Sequence, residues 1–194
     1  MKNSPVETTI TFLRHGSVEN PQNILYGRIP GFTLSEKGKI EVVKTAEILG
    51  KQGISQIYTS PMKRARQSAA IIGKEMGIDP QVSYLLTEVR LFCQGMSIDK
   101  YHKFIQKNLY NEENIEKGQE SVEHVASRMM KFVRSVFNKN YGIHILAVSH
   151  GDPIIILKAY STGSQFTWDY KISHYIQPGK YLTLKIKNKA YEWT

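Results

Sequence analysis

The sequence has little cysteine, no long hydrophobic run and no block of like charge. Its one cysteine, Cys93, leaves no basis for a disulfide framework or a cysteine-ligated zinc site. No segment approaches the ~18 consecutive apolar residues of a membrane helix, and no apolar signal core follows the first five residues. We therefore expect a cytoplasmic protein with no membrane partner.

Several catalytic signatures are also missing. The sequence has no Gly-x-Gly-x-x-Gly after a strand, no Walker phosphate loop and no Gly-x-Ser-x-Gly elbow. Histidines without metal-ligand spacing are His102, His124, His144 and His174. These absences argue against nicotinamide-dependent, ATP-driven and serine-hydrolase chemistry, and we expect neither a cofactor nor a bound metal.

What the sequence does contain is an ordinary globular composition with an excess of positive charge. The 194 residues, 41% hydrophobic and 22% charged, suit one domain with its own core, which we assign to residues 1–194. The net charge of +9 favours anionic partners such as nucleic acid, phospholipid or phosphorylated metabolites. A generally basic surface explains the charge equally well, because the basic residues are scattered.

Two apolar strands that end in histidine and glycine organise the rest of the chain. Residues 10–16 read Ile-Thr-Phe-Leu-Arg-His-Gly, and residues 143–151 read Ile-His-Ile-Leu-Ala-Val-Ser-His-Gly. Ligands of open α/β sheets bind outside the carboxyl ends of the strands. We therefore expect His15 and His150 to share a crevice, with His15 as a nucleophile for phosphoryl groups and His150 holding the group that is transferred.

Strand and helix signals alternate, which predicts a three-layer α/β/α sandwich with a mainly parallel sheet. Ser35 and Ser60 are the expected N-caps of the first two helices. A long loop rich in Gly, Pro and Asn covers residues 17–33, and a small polar insertion over the crevice, a short helix plus loop, covers residues 97–117. The other expected elements are strands at 54–59 and 81–86, helices at 35–49, 121–138 and 153–160, a helix after Ser60 that includes 65–76, and a terminal β-hairpin at 171–193 that turns at Pro178-Gly179.

Arginine is the side chain best suited to a phosphoryl group, because its planar fork stays charged and binds two oxygens at once. Arg14 precedes the first of the two histidines, and Arg64 lies in the first turn of the second helix. Spacing alone leaves Lys63 and Arg66 as alternatives to Arg64. A histidine is nucleophilic as a neutral imidazole whose other N–H is held, often by a backbone carbonyl, and Gly16 allows the backbone to come that close.

A leaving alkoxide needs a proton, and a carboxylic acid in a partly dry cleft can supply it. Glu88 lies just past a predicted strand end and is the leading candidate.

Four ordered blocks resemble the motifs of the histidine phosphatase superfamily, phosphoglycerate-mutase-like branch, over nearly the whole chain. They are Leu-Arg-His-Gly at 13–16, Ser-Pro-Met-Lys-Arg-Ala-Arg-Gln-Ser-Ala at 60–69, Glu88, and Ser-His-Gly at 149–151. The resemblance implies that His15 is the phosphorylated residue, and that Glu88 donates the proton and later activates water. It also implies a phosphate pocket made by Arg14, Arg64 and His150.

The resemblance extends to the loop after the first strand. Asn20 is similar to a loop asparagine that touches the phosphate in relatives, and Gly27 and Arg28 fit the family's substrate loop. Ser17 is a further candidate for substrate binding. The acid-phosphatase branch carries an aspartate directly after the second histidine, whereas here Asp152 follows one residue later, which makes it a reserve acid.

These observations predict a metal-independent phosphomonoester hydrolase that acts through a phosphohistidine on a small phosphorylated metabolite. A phosphoglycerate-type mutase is an alternative, although the mutases that the chain resembles carry larger insertions. A phosphate-binding or nucleic-acid-binding module without turnover would use the same crevice. Because aromatic residues are not interleaved with the basic ones as stacking platforms, we expect no nucleic-acid partner. The substrate and the oligomeric state stay open.

Overall fold

A computed structural model describes residues 7–139, 142–187 and 190–194 of the chain. The strands are β1 (Thr8–Arg14), β2 (Ile54–Thr59), β3 (Gln81–Val82), β4 (His144–Ser149), β5 (Tyr181–Lys187) and β6 (Ala190–Trp193). The α-helices are α1 (Glu36–Leu49), α2 (Lys63–Met76), α3 (Ile98–Phe104), α4 (Glu112–Glu116), α5 (Val122–Lys139), α6 (Gly151–Ser161) and α7 (Trp168–Ser173). The first six residues, on which the expected absence of a signal segment rests, lie outside the described part.

The six strands form one sheet in the order β3-β2-β4-β1-β5-β6. The first four of these strands are mutually parallel, whereas β5 runs antiparallel to β1 and β6 antiparallel to β5. Strands β1 and β4 are central neighbours, and their register pairs Arg14 with Ser149. The residues that follow, His15 and His150, therefore leave the sheet side by side.

The central strands are apolar on both faces because helices cover both sides of the sheet. On one face, Phe12 of β1 packs in a buried cluster with residues of α5 and α6. On the other face, Leu13 packs with residues of α1 and α2. This confirms the α/β sandwich with its mostly parallel sheet.

The sequence places one of the two expected helix caps correctly. Ser35 caps α1, and its Oγ accepts a hydrogen bond from the backbone N–H of Gly38 at 3.1 Å. Ser60 is not the cap of α2, which begins after Met62. The Ser60 hydroxyl instead lies 2.8 Å from Nε2 of His150, a tertiary contact that the local pattern could not reveal.

The strand expected at residues 81–86 is shorter than predicted. Only Gln81–Val82 pairs with β2, and Tyr84–Leu86 forms a 3-10 turn. Leu86 is fully buried in the cluster beneath α5 and α6, so the chain has to leave the exposed sheet edge to reach it.

The terminal hairpin is also shorter than the predicted 171–193. Residues Trp168–Ser173 form α7, which Thr167 caps by accepting a hydrogen bond from the N–H of Tyr170 at 3.1 Å. The Pro178-Gly179 pair precedes β5 instead of turning the hairpin. The Gly179 N–H donates to the carbonyl oxygens of Arg14 and His15, both at 3.1 Å, and so fastens this segment to the end of β1.

The insertion at residues 97–117 contains two short helices, α3 and α4, with a 3-10 turn at Gln106–Asn108 between them. Within the described residues, no helix is both long and apolar enough to cross a bilayer. The cytoplasmic location stays a prediction.

Two glycines allow the loop after β1 to lie against the first turn of α1. A Cβ atom at Gly38 would overlap the backbone of Ser17, and one at Gly16 would overlap the carbonyl group of Gly38. Because the obstacle on each side is backbone, neither clash can be relieved by turning a side chain.

We expect Gly38→Ala to lower the free energy of unfolding by about 1–3 kcal/mol, because the added methyl group has to displace the loop. Urea unfolding followed by circular dichroism measures the change. Lys44→Ala, at an exposed position of the same helix, is the control and should be near neutral. Equal stability of the two variants would contradict the close approach.

Candidate active site

His15 lies at the carboxyl edge of the sheet. Its Nδ1 lies 2.8 Å from the carbonyl oxygen of Gly16, to which we assign the N–H of the neutral ring, and Nε2 accepts a hydrogen bond from Nε of Arg64 at 3.0 Å. Burial, and then the charges of Arg64 and Arg14, lower the pKa of His15 well below its ordinary value. The imidazole is therefore neutral, and the Nε2 lone pair is the one available for attack.

Arg64 projects from the first turn of α2 into the space between the two histidines. One of its terminal nitrogens, Nη2, lies 2.9 Å from the carbonyl oxygen of Gly27 and 3.2 Å from Nδ1 of His150. The residue is fully buried, whereas the two alternatives from the sequence, Lys63 and Arg66, are exposed. Of these three basic residues, Arg64 alone contacts both histidines.

His150 follows β4 and is fully buried, with its ring centroid 5.0 Å from that of His15. Because Nδ1 accepts from Arg64, we assign the proton to Nε2, which donates to the Ser60 hydroxyl at 2.8 Å. Burial and the Arg64 charge lower the pKa of His150 well below its ordinary value. Nothing in the sequence indicated that Ser60 contacts His150, because a serine before a proline predicts the start of a helix.

Glu88 lies two residues past the 3-10 turn. Its Oε1 accepts the backbone N–H of Val89 at 2.8 Å, and its Oε2 is 3.4 Å from Nδ1 of His150 and 3.6 Å from Nη2 of Arg64. Burial raises the pKa of this carboxyl group above its ordinary value, although the Arg64 charge opposes the shift. A carboxylic acid that stays protonated to a higher pH than usual is suited to general acid catalysis.

Arg14 ends β1 and reaches across the crevice. Its Nη1 donates to the carbonyl oxygen of Ile176 at 2.6 Å, and its guanidinium lies over the ring of Tyr175, 5.0 Å from the centroid. Its Nε is buried and has no hydrogen-bond partner among the described residues. An unpaired buried N–H on a charged group is a feature that a bound anion would satisfy.

A cavity of about 180 Å³ opens beside these groups. Its lining includes Arg14, Glu88, Gly27 and Gly151. A wider groove of about 700 Å³ is lined in part by Lys63, Arg64 and Arg66. Neither His15 nor His150 lines either cavity, but the smaller one reaches both Arg14 and Glu88, and the wider one reaches neither. The smaller cavity is therefore the candidate substrate site.

Two of the substrate-binding candidates direct their hydrogen bonds away from the cavity, one within the loop and one to helix α1. The Asn20 amide donates to the carbonyl oxygen of Ile24 at 2.9 Å and accepts from its N–H at 3.2 Å, which closes a turn. The hydroxyl and N–H of Ser17 both donate to the Glu41 carboxylate at 2.8 Å. Neither residue lines the cavity, so their contact with substrate stays a prediction.

Arg28 turns away from the phosphate pocket. Its Nε donates to the backbone carbonyl of Glu88 at 2.6 Å, and its Nη2 lies 2.9 Å from Oε2 of Glu120. The buried Glu120 carboxylate also pairs with Arg128, at 2.8 Å, and with His124, at 2.7 Å. Arg28 therefore joins the substrate loop, the backbone of Glu88 and a buried carboxylate.

Sequence analysis missed Glu120, although a signal was present. His124 and Arg128 lie one turn apart on one face of α5, and Glu120 precedes the helix at the same spacing of four residues, which places it near that face. Burial alone would raise the pKa of Glu120, but the hydrogen bond and charge of Arg128 outweigh it and hold the pKa below its ordinary value.

Asp152 does not have the environment of a reserve acid. Its Oδ2 accepts hydrogen bonds from Nζ of Lys171 and from the Tyr110 hydroxyl, both at 2.7 Å. Burial would raise the pKa of Asp152, but the ammonium group of Lys171 outweighs it and holds the pKa below its ordinary value. An ionised carboxylate has no proton to give, which leaves Glu88 as the candidate proton donor.

The donor atoms of His15, Glu88 and His150 lie within 4.8 Å of one another, which is close enough to hold a metal ion. The charges do not fit one. The Arg64 guanidinium donates to the ligating nitrogens of both histidines and would repel a cation. The same groups are suited to an oxyanion.

Comparison with known proteins gives one consistent result. The model of the histidine phosphatase superfamily (branch 1) matches residues 10–193. An uncharacterised protein of Mycobacterium tuberculosis, Rv0525, is 31% identical over 170 residues, which are 85% of this chain and 84% of that protein. A metal-independent phosphoserine phosphatase of Arabidopsis thaliana is 29% identical over 157 residues, 74% of this chain and 64% of that protein.

Solved structures extend the similarity of the fold. The mycobacterial glucosyl-3-phosphoglycerate phosphatase Rv2419c superposes with a TM-score of 0.78 at 21% identity, over 97% of this chain and 96% of that chain. At this identity the match concerns the fold, which agrees with the architecture expected from the sequence.

The buried Glu120 cluster makes stability depend on pH. Because the folded-state pKa of Glu120 is depressed, its stabilisation is fully present above about pH 4.3, the ordinary glutamate value, and is lost as the pH falls through the folded-state pKa. We expect Glu120→Gln to cost about 3 kcal/mol of unfolding free energy at pH 7, because Arg28 and Arg128 lose their counter-charge.

Thermal unfolding at several pH values measures this effect, and the deficit of Glu120→Gln should shrink toward acid pH. Glu113→Gln removes an exposed ion pair with Lys117 and serves as the control, with an unchanged melting temperature. A deficit that is the same at every pH would contradict the assignment.

Proposed function

The chain belongs to the histidine phosphatase superfamily, and from this premise we propose that it is a metal-independent phosphomonoester hydrolase that works through a phosphohistidine. Family membership and the phosphatases among its relatives make the chain a phosphatase. The proposal concerns the mechanism and the substrate: a small phosphorylated metabolite that enters the cavity beside Arg14 and Glu88. The Arabidopsis relative, a metal-independent phosphoserine phosphatase, supports a mechanism without a metal.

The observation that carries the proposal is the placement of the His15 ring, whose Nδ1 lies 2.8 Å from the carbonyl oxygen of Gly16 and whose Nε2 faces the Arg64 guanidinium at 3.0 Å. Nucleophilic attack requires the Nε2 lone pair, so the hydrogen bond from Arg64 has to break as phosphorus approaches. The released N–H then donates to an oxygen of the phosphoryl group, where negative charge develops in the transition state.

The first step forms the bond from Nε2 of His15 to phosphorus and breaks the bond from phosphorus to the ester oxygen. Glu88 gives its proton to that oxygen, and the alcohol leaves. In the second step the Glu88 carboxylate takes a proton from water, the water oxygen attacks phosphorus, and the bond to His15 breaks. Phosphate leaves, and Glu88 is again protonated.

We expect the wild-type protein to hydrolyse p-nitrophenyl phosphate at an undiminished rate with excess chelator, because each step uses side chains alone. His15→Ala should lose at least about a thousandfold in kcat, since it removes the nucleophile. His144→Ala, at the opposite end of β4, is the matched control and should keep its activity. Equal rates for wild type and His15→Ala would refute the assignment.

The fate of the phosphoryl group separates the alternatives. Labelled phosphate released to solvent supports a phosphatase, label transferred to an isomer of the substrate supports a mutase, and binding without turnover supports the non-catalytic module.

Glu88 should matter most when the leaving group is poor. We expect Glu88→Gln to lower kcat by about 10²–10⁴-fold for an alkyl phosphate, because an alkoxide needs the proton, and by much less for p-nitrophenyl phosphate, whose leaving group does not. The rate with the alkyl substrate should fall as the pH rises through the raised pKa of Glu88, since the acid form is then lost. The alkaline limb should disappear in Glu88→Gln and persist in Glu75→Gln, an exposed control. Equal losses on both substrates would assign the proton to another group.

A further inference from the structure

The cavity has a second polar feature besides the phosphate pocket. Lys171 of α7 and Asp152 of α6 both line it and form an ion pair at 2.7 Å. Lys171 is only 8% exposed. The phosphoryl chemistry described above uses neither residue, so the pair is free to contact the alcohol part of the substrate.

The pair has no net charge but is not saturated with hydrogen bonds. Of the three N–H donors of the Lys171 ammonium group, one goes to Asp152, and no other acceptor for them is present among the described residues. Both hydrogen bonds of the Asp152 carboxylate, from Lys171 and from Tyr110, involve Oδ2, so Oδ1 makes no side-chain hydrogen bond. The cavity thus presents donors beside an acceptor.

Apart from His102, the rest of this wall is apolar or phenolic. Leu25, Leu91, Leu109 and Tyr101 line the same cavity, and the Tyr101 hydroxyl has no hydrogen-bond partner within the part of the chain that is described. Together with a volume of about 180 Å³, this favours a compact alcohol with an apolar skeleton and hydroxyl groups. The cavity is smaller than the roughly 300–1,000 Å³ typical of sites for larger ligands.

We propose that the pair of Lys171 and Asp152 selects phosphomonoesters of small, uncharged, hydroxyl-bearing alcohols and rejects those that carry a carboxylate or a second phosphate. A hydroxyl group accepts from the ammonium and donates to the carboxylate, so it satisfies both members of the pair. A carboxylate has no proton to donate and meets the negative charge of Asp152, whose counter-charge, the Lys171 ammonium, is already paired with it. This inference rests on the proposed function.

Glycerol 3-phosphate and 3-phosphoglycerate form a matched pair for the test, because they differ only in a CH₂OH group against a carboxylate. We expect wild-type kcat/KM to be at least about tenfold higher for glycerol 3-phosphate than for 3-phosphoglycerate. A factor of about ten is the smallest effect expected from repulsion between like charges. This ratio needs no variant. Similar values, or a preference for 3-phosphoglycerate, would overturn the proposal.

Two variants test the cause of the preference. Asp152→Asn leaves the Lys171 charge uncompensated and should shift the ratio toward 3-phosphoglycerate by about tenfold or more. Lys171→Met should raise KM for glycerol 3-phosphate more than for p-nitrophenyl phosphate, which lacks the hydroxyl groups. Lys158→Met on α6, outside the cavity, is the control and should keep the wild-type ratio. If the pair only fastens α7 to α6, both variants will lower stability and leave the ratios of kcat/KM between substrates unchanged.

The outcomes separate this inference from the proposed function. If wild-type protein hydrolyses neither p-nitrophenyl phosphate nor glycerol 3-phosphate, the proposed function fails. If it hydrolyses p-nitrophenyl phosphate and does not discriminate between the matched substrates, the proposed function stands and the selectivity assigned to Lys171 and Asp152 is wrong.

Discussion

One buried guanidinium holds this site together. Arg64 is fully buried and donates to His15, to His150 and to the carbonyl oxygen of Gly27. Its nearest carboxylate among the described residues is Glu88, at 3.6 Å. Burial lowers the pKa of Arg64, yet an arginine remains protonated in a protein. The molecule thus keeps an incompletely neutralised positive charge in its interior, which is costly unless an anion completes it.

The Arg64 charge also affects the protonation of the neighbouring side chains. It helps to keep both imidazoles neutral, while burial keeps a proton on Glu88 beyond the ordinary range of a carboxyl group. A neutral imidazole beside a carboxyl group with a raised pKa suits the nucleophile and the proton donor that we propose for ester cleavage. The same environment lowers the pKa of His15 and raises that of Glu88, and these opposite shifts are the basis of the roles proposed for the two residues.

The sequence predicted the parts of the site that depend on local structure. His15 and Gly16 are adjacent, so the hydrogen bond that fixes the imidazole could be inferred from neighbours in the chain. Ser60 was misassigned, because its local preference for a helix cap loses to a histidine 90 positions away. Arg28 was placed in the substrate loop, but its partner, Glu120, is 92 positions away and belongs to another element. Contacts of this kind follow from how the layers pack, and no single-sequence pattern specifies them.

The order of strands in the sheet has a consequence for synthesis of the protein on the ribosome. Strand β1 emerges first, but its two neighbours, β4 and β5, span His144–Ser149 and Tyr181–Lys187. A nascent chain therefore carries β1 without a backbone partner until β4 has been translated. During that interval the exposed strand is a target for aggregation and for molecular chaperones. His15 is thus made well before the strand β4 beside which it comes to lie.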